Sequence, residues 1–208
     1  GLLQHAVHGV PDRSHGYCVD DNARALLLAS SLAEAGETRL PELLTTRFAA
    51  FVQHAWNPDT RRFRNFMSYD RRWLEEQGSE DSHGRTLWAL AVCATKDADR
   101  SRRNWAKALF KAAIPIVESF TSPRAWAFTL LALDAYCPSS ADDVSANRLR
   151  AVLADRLMAA LAVKRAGGWV WFEDVLAYDN ARLPQALIQT AATTGNTRYA
   201  VAGLRSLR

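Results

Sequence analysis

Cysteine is scarce in this 208-residue sequence, and Cys18, Cys93 and Cys137 stand far apart and odd in number. That excludes a disulfide framework and a Cys-based zinc pattern, and points to a reducing compartment, so a cytoplasmic location is expected. No apolar run approaches the ~18 residues of a membrane helix, so no membrane span is expected. No signal peptide is visible at the start, which is Gly1, and the chain reads as a fragment of a longer protein. A strong charge of one sign is also missing, because the net charge is only +4 and the charges are scattered. The one basic cluster, Arg100, Arg102, Arg103, Lys107 and Lys111, falls on a single amphipathic segment with no aromatic platform beyond Trp105. It reads as a solvated helix face, and no nucleic-acid partner is expected. There is no Gly-rich phosphate loop, no Gly-x-Ser-x-Gly elbow and no His-Glu-x-x-His. His5 and His8 lack nearby acids, so neither a metal nor a cofactor is expected.

What the chain has is apolar helix. Its hydrophobic content of 49% is enough for a sizeable core in one domain over residues 1–208. Residues 1–19 read as an irregular lead-in broken by Pro11 and Gly16. A first helix is expected from Asp21 to about Ala35, stopped by Gly36. Pro41 opens a second, with Leu44, Phe48, Phe51, Val52 and Ala55 on one stripe. A third starts near Ser82, and a fourth runs from about Arg100 to Phe120 with a kink at Pro115. Ser122-Pro123 is an N-cap and N1 pair for a fifth. A polar linker, Pro138 to Asp143, leads to a sixth, and a seventh and eighth start at Asn180 and near Asn196. Odd helices are apolar all round and even ones amphipathic, which predicts an all-α array of four antiparallel hairpins with a buried inner layer and a half-buried outer one. The inner starts, near residues 21, 82, 123 and 180, are unequally spaced, unlike tetratricopeptide repeats.

The phrase Asp21-Asn22-Ala23-Arg24 recurs as Asp179-Asn180-Ala181-Arg182, and Glu80-Asp81-Ser82-His83-Gly84-Arg85 and Ser122-Pro123-Arg124 are looser relatives. Capping explains one acid or hydroxyl at a helix start. It does not explain an Arg in each first turn, where the helix dipole disfavours a cation. The four starts are therefore expected to meet at one rim and form a polar site. Two rim loops support this, the long one from Asn57 to Trp73 and Gly167-Gly168-Trp169-Val170-Trp171-Phe172-Glu173-Asp174. Their turn signals predict short ribbons. Aromatic rings beside acids and guanidinium groups suit a polyhydroxylated ligand, the rings covering apolar sugar faces and the polar groups binding hydroxyls.

The strings Gly16-Tyr17-Cys18-Val19-Asp20-Asp21-Asn22-Ala23-Arg24, Phe63-Arg64-Asn65-Phe66 with Tyr69-Asp70-Arg71-Arg72-Trp73, Gly78 through Arg85, Ser122 through Ala127, and Trp171 through Pro184 carry a resemblance over nearly the whole chain. Together they look like a helical domain of bacterial proteins classified as glycosyltransferases, often joined to a group 1 glycosyltransferase module and similar in fold to six-hairpin glycosidases. The resemblance implies an (α/α) toroid that handles carbohydrate, with four of six hairpins present, and a glycosyltransferase module on the same chain. It supplies no catalytic assignment. An incomplete ring leaves an open apolar edge, so self-association is expected. If the domain is a glycosidase, the acids must come from different hairpins, and the expected catalytic pair joins one of Glu80 and Asp81 with one of Glu173 and Asp174. Asp20, Asp21, Arg24, His83, Arg85, Trp169, Trp171, Asp179 and Arg182 are then expected to bind substrate. The alternative is a non-catalytic carbohydrate-binding or scaffold module.

Overall fold

The computed structural model describes residues 1–37, 39–166, 169 and 171–207, and α-helices carry most of them. In chain order these are α1 (Val19–Glu34), α2 (Arg39–Ala55), α3 (Glu80–Lys96), α4 (Arg100–Ala113), α5 (Pro123–Tyr136), α6 (Val144–Ala166), α7 (Arg182–Thr194) and α8 (Thr197–Ser206). The mainly helical class expected from the sequence is observed. Side-chain caps set several of the starts. Ser79 accepts from the Ser82 N–H, Asp99 from Arg102, Ser122 from Ala125 and Asn196 from Arg198, each satisfying a first-turn donor that has no partner inside the helix. No helix among the described residues is long and apolar enough to cross a membrane.

The inner helices α1, α3, α5 and α7 lie side by side in that order, and each packs against the helix that follows it in sequence. Only α3 and α5 are apolar all round, with Leu87, Leu90, Leu130, Leu131 and Leu133 at zero exposure. Burying each such side chain contributes roughly 1.5–3 kcal/mol. Helices α1 and α7 depart from the all-apolar expectation. They end the row, have an inner neighbour on one side only, and keep a polar or exposed stripe that includes Leu28 at 57% exposure. Of the stripe read for α2, Phe48, Phe51, Val52 and Ala55 are buried and Leu44 is half-buried against the core.

Three readings need correction. The lead-in is not irregular. Leu3–Val7 forms β1 and Val10–Cys18 forms β2, paired antiparallel through a turn at His8 and Gly9 whose φ values are 49° and 85°. Two consecutive left-handed residues match the right-handed twist of a hairpin. Most positions of both strands are exposed, so no alternation of apolar and polar residues announced them. Within β2, Gly16 is a fitted strand residue, because a Cβ there would lie 2.2 Å from the Met67 carbonyl oxygen. The fourth helix is not a kinked rod to Phe120. It ends at Ala113 and continues as a 3-10 turn over Ile114–Ser119, because Pro115 brings no N–H for the preceding turn. The seventh helix begins at Arg182, two residues later than read, because Asp179 takes a left-handed φ of 56°.

The long rim loop does form ribbons. Strand β3 (Trp56–Asn57) pairs with β4 (Arg62–Phe63), and β5 (Phe66–Met67) adds to β2 through Tyr17 and Cys18. The second rim loop has no strand among its described residues, and Gly167, Gly168 and Val170 lie outside them. Trp171 and Phe172 are 8% and 2% exposed and close the core.

Helix α3 approaches α5 closely because Gly84 has no side chain. A Cβ there would meet the Ala125 carbonyl oxygen at 2.8 Å and Ala125 Cα at 3.2 Å. Gly84→Val should destabilise the protein by about 2 kcal/mol or more, since overpacking costs about 1–3 kcal/mol and valine gains only a few tenths over glycine in helix propensity. Urea denaturation checks this, and an unchanged midpoint would mean that α3 and α5 separate at no cost.

Candidate functional site

The inner helix starts do meet at one end, and buried arginines join them. Arg85, in the second turn of α3, is 3% exposed. Its Nε donates to Asp20 Oδ1 on α1 at 2.6 Å and its Nη2 to Asp179 Oδ2, just before α7, at 2.7 Å. The guanidinium carbon lies 4.0 Å from the centroid of the Phe128 ring on α5. Burial pulls the Arg85 pKa down, but Asp20 and Asp179 outweigh it and hold the guanidinium above its ordinary value. One side chain therefore touches all four inner hairpins. Asp179 shows the converse. Burial would raise its carboxyl, yet the Arg85 bond and the charges of Arg85, Arg182 and Arg24 keep it below the usual range.

A second arginine works beside it. Arg124, in the first turn of α5, bonds Glu173 through Nη2, and its guanidinium lies 4.8 Å from the centroid of the Tyr178 ring. The Tyr178 hydroxyl donates to Asp81 Oδ2 at 2.6 Å, and Ser122 Oγ donates to Asp81 Oδ1 at 2.5 Å. Burial and Asp81 push the Tyr178 phenol well up, so it stays neutral. Glu80 Oε2 accepts from the backbone N–H groups of Thr121 and Ser122 at 2.9 and 2.8 Å, which ties α3 to the entry of α5. Glu80, Asp81 and Glu173 are thus committed to contacts between segments. Asp174 is exposed on the loop that follows Glu173.

The two copies of the repeated phrase do different things. Asp179 clasps Arg85, and its Oδ1 lies 3.5 Å from Arg182 Nε. In the first copy that work belongs to Asp20, which holds Arg85 and, at 3.0 Å, Arg24. The Asp21 carboxylate is left with no hydrogen bond or ion pair among the described residues. Burial, and then the adjacent Asp20 charge, raise its carboxyl pKa against the pull of Arg24, His5 and Arg85. Asp21 borders a cleft of about 220 Å³ with Asp20, Gln4, Cys18, Asn65, Ser79 and Ser82, flanked by Phe66 and Tyr178. A larger groove of about 450 Å³ lies elsewhere, by Lys107, Lys111, Tyr136 and Asp143. There Asp143 is taken up by Tyr136 at 3.0 Å and Lys111 at 3.9 Å.

Two asparagines that the sequence did not single out as site residues tie this end together, and one of them, Asn65, lines the cleft. Asn65 Oδ1 accepts from Ser82 Oγ at 2.9 Å, the Asp20 N–H at 3.1 Å and Cys18 Sγ at 3.2 Å, and its carbonyl accepts from Val19. Asn22 is at zero exposure and treats Leu2 as a strand partner, accepting from its N–H at 2.7 Å and donating to its carbonyl at 3.2 Å. An Asn amid aromatics, as in Phe63-Arg64-Asn65-Phe66, was the available signal, because a buried amide must be fully bonded.

His83 and Trp171 do not lie where a ligand could reach them. His83 is at zero exposure, with Nε2 3.0 Å from the Ala113 carbonyl oxygen and Nδ1 accepting from the Phe63 N–H at 3.4 Å. Trp171 is in the core, whereas Trp169 is 43% exposed and donates through Nε1 to the Glu173 carbonyl at 2.6 Å. Arg182 reaches Gln185 and lies 5.0 Å from the centroid of the Trp88 ring. No group of three His, Cys, Asp or Glu among the described residues is placed to hold a metal. No protein-family model matches the chain, and no curated protein matches it either.

Removing Arg85 leaves Asp20 and Asp179 without the cation that joins them, each keeping only its local arginine, Arg24 or Arg182. Arg85→Met should cost about 3 kcal/mol, and Arg85→Lys should recover little, because an ammonium cannot span both carboxylates as the planar fork does. Chemical denaturation of the two variants measures this, and wild-type stability in either would remove Arg85 as the clasp.

Burial drives the His83 pKa from its ordinary 6.5 down to about 3. Between those values the unfolded chain takes a proton that the folded protein refuses, so this contribution to stability is full above pH 6.5 and is lost as pH falls toward 3. Denaturation midpoints should decline across that window, and His83→Gln should flatten the decline whatever it does at neutral pH. An equally steep decline in the variant would assign acid sensitivity elsewhere.

Proposed function

We propose that this chain is a carbohydrate-binding domain of the kind that accompanies glycosyltransferases, its four hairpins forming part of an (α/α) toroid, and that sugar binds in the Asp21 cleft. The observation that carries the reading is the division of labour among the rim acids. Glu80, Asp81 and Glu173 are spent on joining segments, while Asp21 keeps an unpaired carboxylate at the cleft. A free carboxylate accepts two hydroxyl donors from a vicinal diol. Phe66 and Tyr178, 38% and 50% exposed, line the same cleft, which gives the mixture of apolar wall and few polar anchors that small-ligand sites use. Leu28 on α1 and Val201 and Leu204 on α8 are exposed at the ends of the array. In a toroid, neighbouring hairpins or a second copy cover such faces.

The raised pKa of Asp21 favours a second reading, a hydrolase with Asp21 as general acid. Glycoside hydrolysis needs two carboxyls on opposite sides of the bond. Asp20 is next to Asp21 and held by Arg85 and Arg24, so binding without turnover fits the arrangement better.

A glycan array followed by calorimetry tests both. Oligosaccharide binding is expected, with Asp21→Ala weakening it by about tenfold or more, the worth of a hydrogen bond to a charged group, and leaving the denaturation midpoint unchanged or raised. Bond cleavage abolished by Asp21→Asn would replace the binding reading with the hydrolase, and an array without any bound sugar would overturn both.

A further inference from the structure

We infer that the Asp21 cleft selects neutral and amino sugars against anionic ones, and so receives a glycan rather than a nucleotide-sugar donor; this rests on the carbohydrate reading above. Two carboxylates, Asp20 and Asp21, border the cleft, and no Lys, Arg or His among the described residues lines it. The cations nearest to Asp21 are committed elsewhere. Arg85 is held by Asp20 and Asp179, and Arg24 by Asp20. The tyrosine at the edge adds no charge, because Tyr178 is a neutral phenol donating to Asp81.

The electrostatic consequence follows from this inventory. A ligand carboxylate or phosphate about 4 Å from Asp21 meets about 4 kcal/mol of repulsion at the effective dielectric of a protein surface, while the nearby Arg85 and Arg24 charges are balanced by Asp20 and Asp179. Neutral sugar hydroxyls instead donate to Asp21, and a protonated 2-amino group replaces one of those bonds with an ion pair. A diphosphate is recognised by Arg forks or helix N-terminal amides aimed at its oxygens. The Arg forks here are already bonded to protein carboxylates, and at the starts of α3 and α5 the side chains of Ser79 and Ser122 and, ahead of α5, of Glu80 take up the free N–H groups of Ser82, Ala125, Thr121 and Ser122. The site is built to exclude an anion by leaving it unpaired, which is how specificity is gained against a competitor of similar shape.

The test is an array of oligosaccharides of one linkage in matched neutral, glucosamine-type and uronate forms, with UDP-glucose titrated by calorimetry. The uronate form is expected to bind at least about tenfold more weakly than the neutral one, the amino form at least as tightly, and UDP-glucose not at all at concentrations that saturate with the neutral form. Asp21→Asn keeps the side-chain shape and removes the charge, so it should narrow the gap between neutral and uronate at least about threefold. Its denaturation midpoint, at or above that of the parent, checks the fold. Uronate or UDP-glucose binding as tight as the neutral sugar, or a gap unchanged in Asp21→Asn, overturns the selectivity while leaving sugar binding standing. Failure of every oligosaccharide to bind overturns the carbohydrate reading itself, and this inference with it.

Discussion

The end of the molecule where the site lies depends on a buried guanidinium that two carboxylates keep charged. Arg85 is 3% exposed, and an ion so placed loses most of its hydration. The loss is tolerated because Asp20 and Asp179 occupy two edges of its fork and the Phe128 ring lies against its plane. Each of these groups comes from a different inner hairpin. The arrangement is therefore complete only when α1, α3, α5 and the approach to α7 have all arrived, which makes it a device for register more than a source of net stability. Arg124, Glu173, Tyr178 and Asp81 repeat the device one step away, again between segments distant in sequence.

That constraint accounts for the arginines near the helix starts. Only Arg124 and Arg182 lie in first turns, where the helix dipole disfavours a cation, while Arg24 and Arg85 fall in second turns because α1 and α3 begin earlier than read. Locally, Arg124 in the first turn of α5 is misplaced. Across segments it faces Glu173 and the Tyr178 ring, so the local penalty is offset by partners that exist only in the folded array. The same constraint decides which acids remain for a ligand. A carboxylate inside the clasp has its lone pairs filled and its pKa held down, as at Asp179. One residue beyond the clasp, Asp21 faces the cleft with burial and a like charge acting on it.

A binding site on this rim is rigid by construction. Its floor is made of helix starts pinned by Asn65, Glu80 and Ser122, and its edge is a short sheet in which Gly16 lets β2 lie directly on Met67. Such a frame loses little conformational entropy when a ligand binds. The exposed rings of Phe66 and Tyr178 are fixed by β5 and by the Asp81 bond respectively.

Much of the helical array was legible in the sequence, because its signals are local. The Ser122-Pro123 start, the Gly36 stop, the stripe of α2 and the all-apolar runs of α3 and α5 each depend on spacing within a few turns. The meeting of the inner starts at one rim followed from alternating helix types. The β1–β2 hairpin was not legible, since its mostly exposed strands carry no alternating pattern and its pairing with β5 joins residues far apart in the chain. Nor was the division of the acids. Asp21-Asn22-Ala23-Arg24 and Asp179-Asn180-Ala181-Arg182 are the same letters, yet one lies inside a helix and the other turns through a left-handed aspartate. Which aspartate meets Arg85 and which is left to face the cleft is fixed by backbone placement across hairpins. The sequence by itself determined that acids and arginines would gather at one end, because helix periodicity and caps are local. Only the tertiary structure decided which of them pair, because pairing depends on distances between segments that no local pattern encodes.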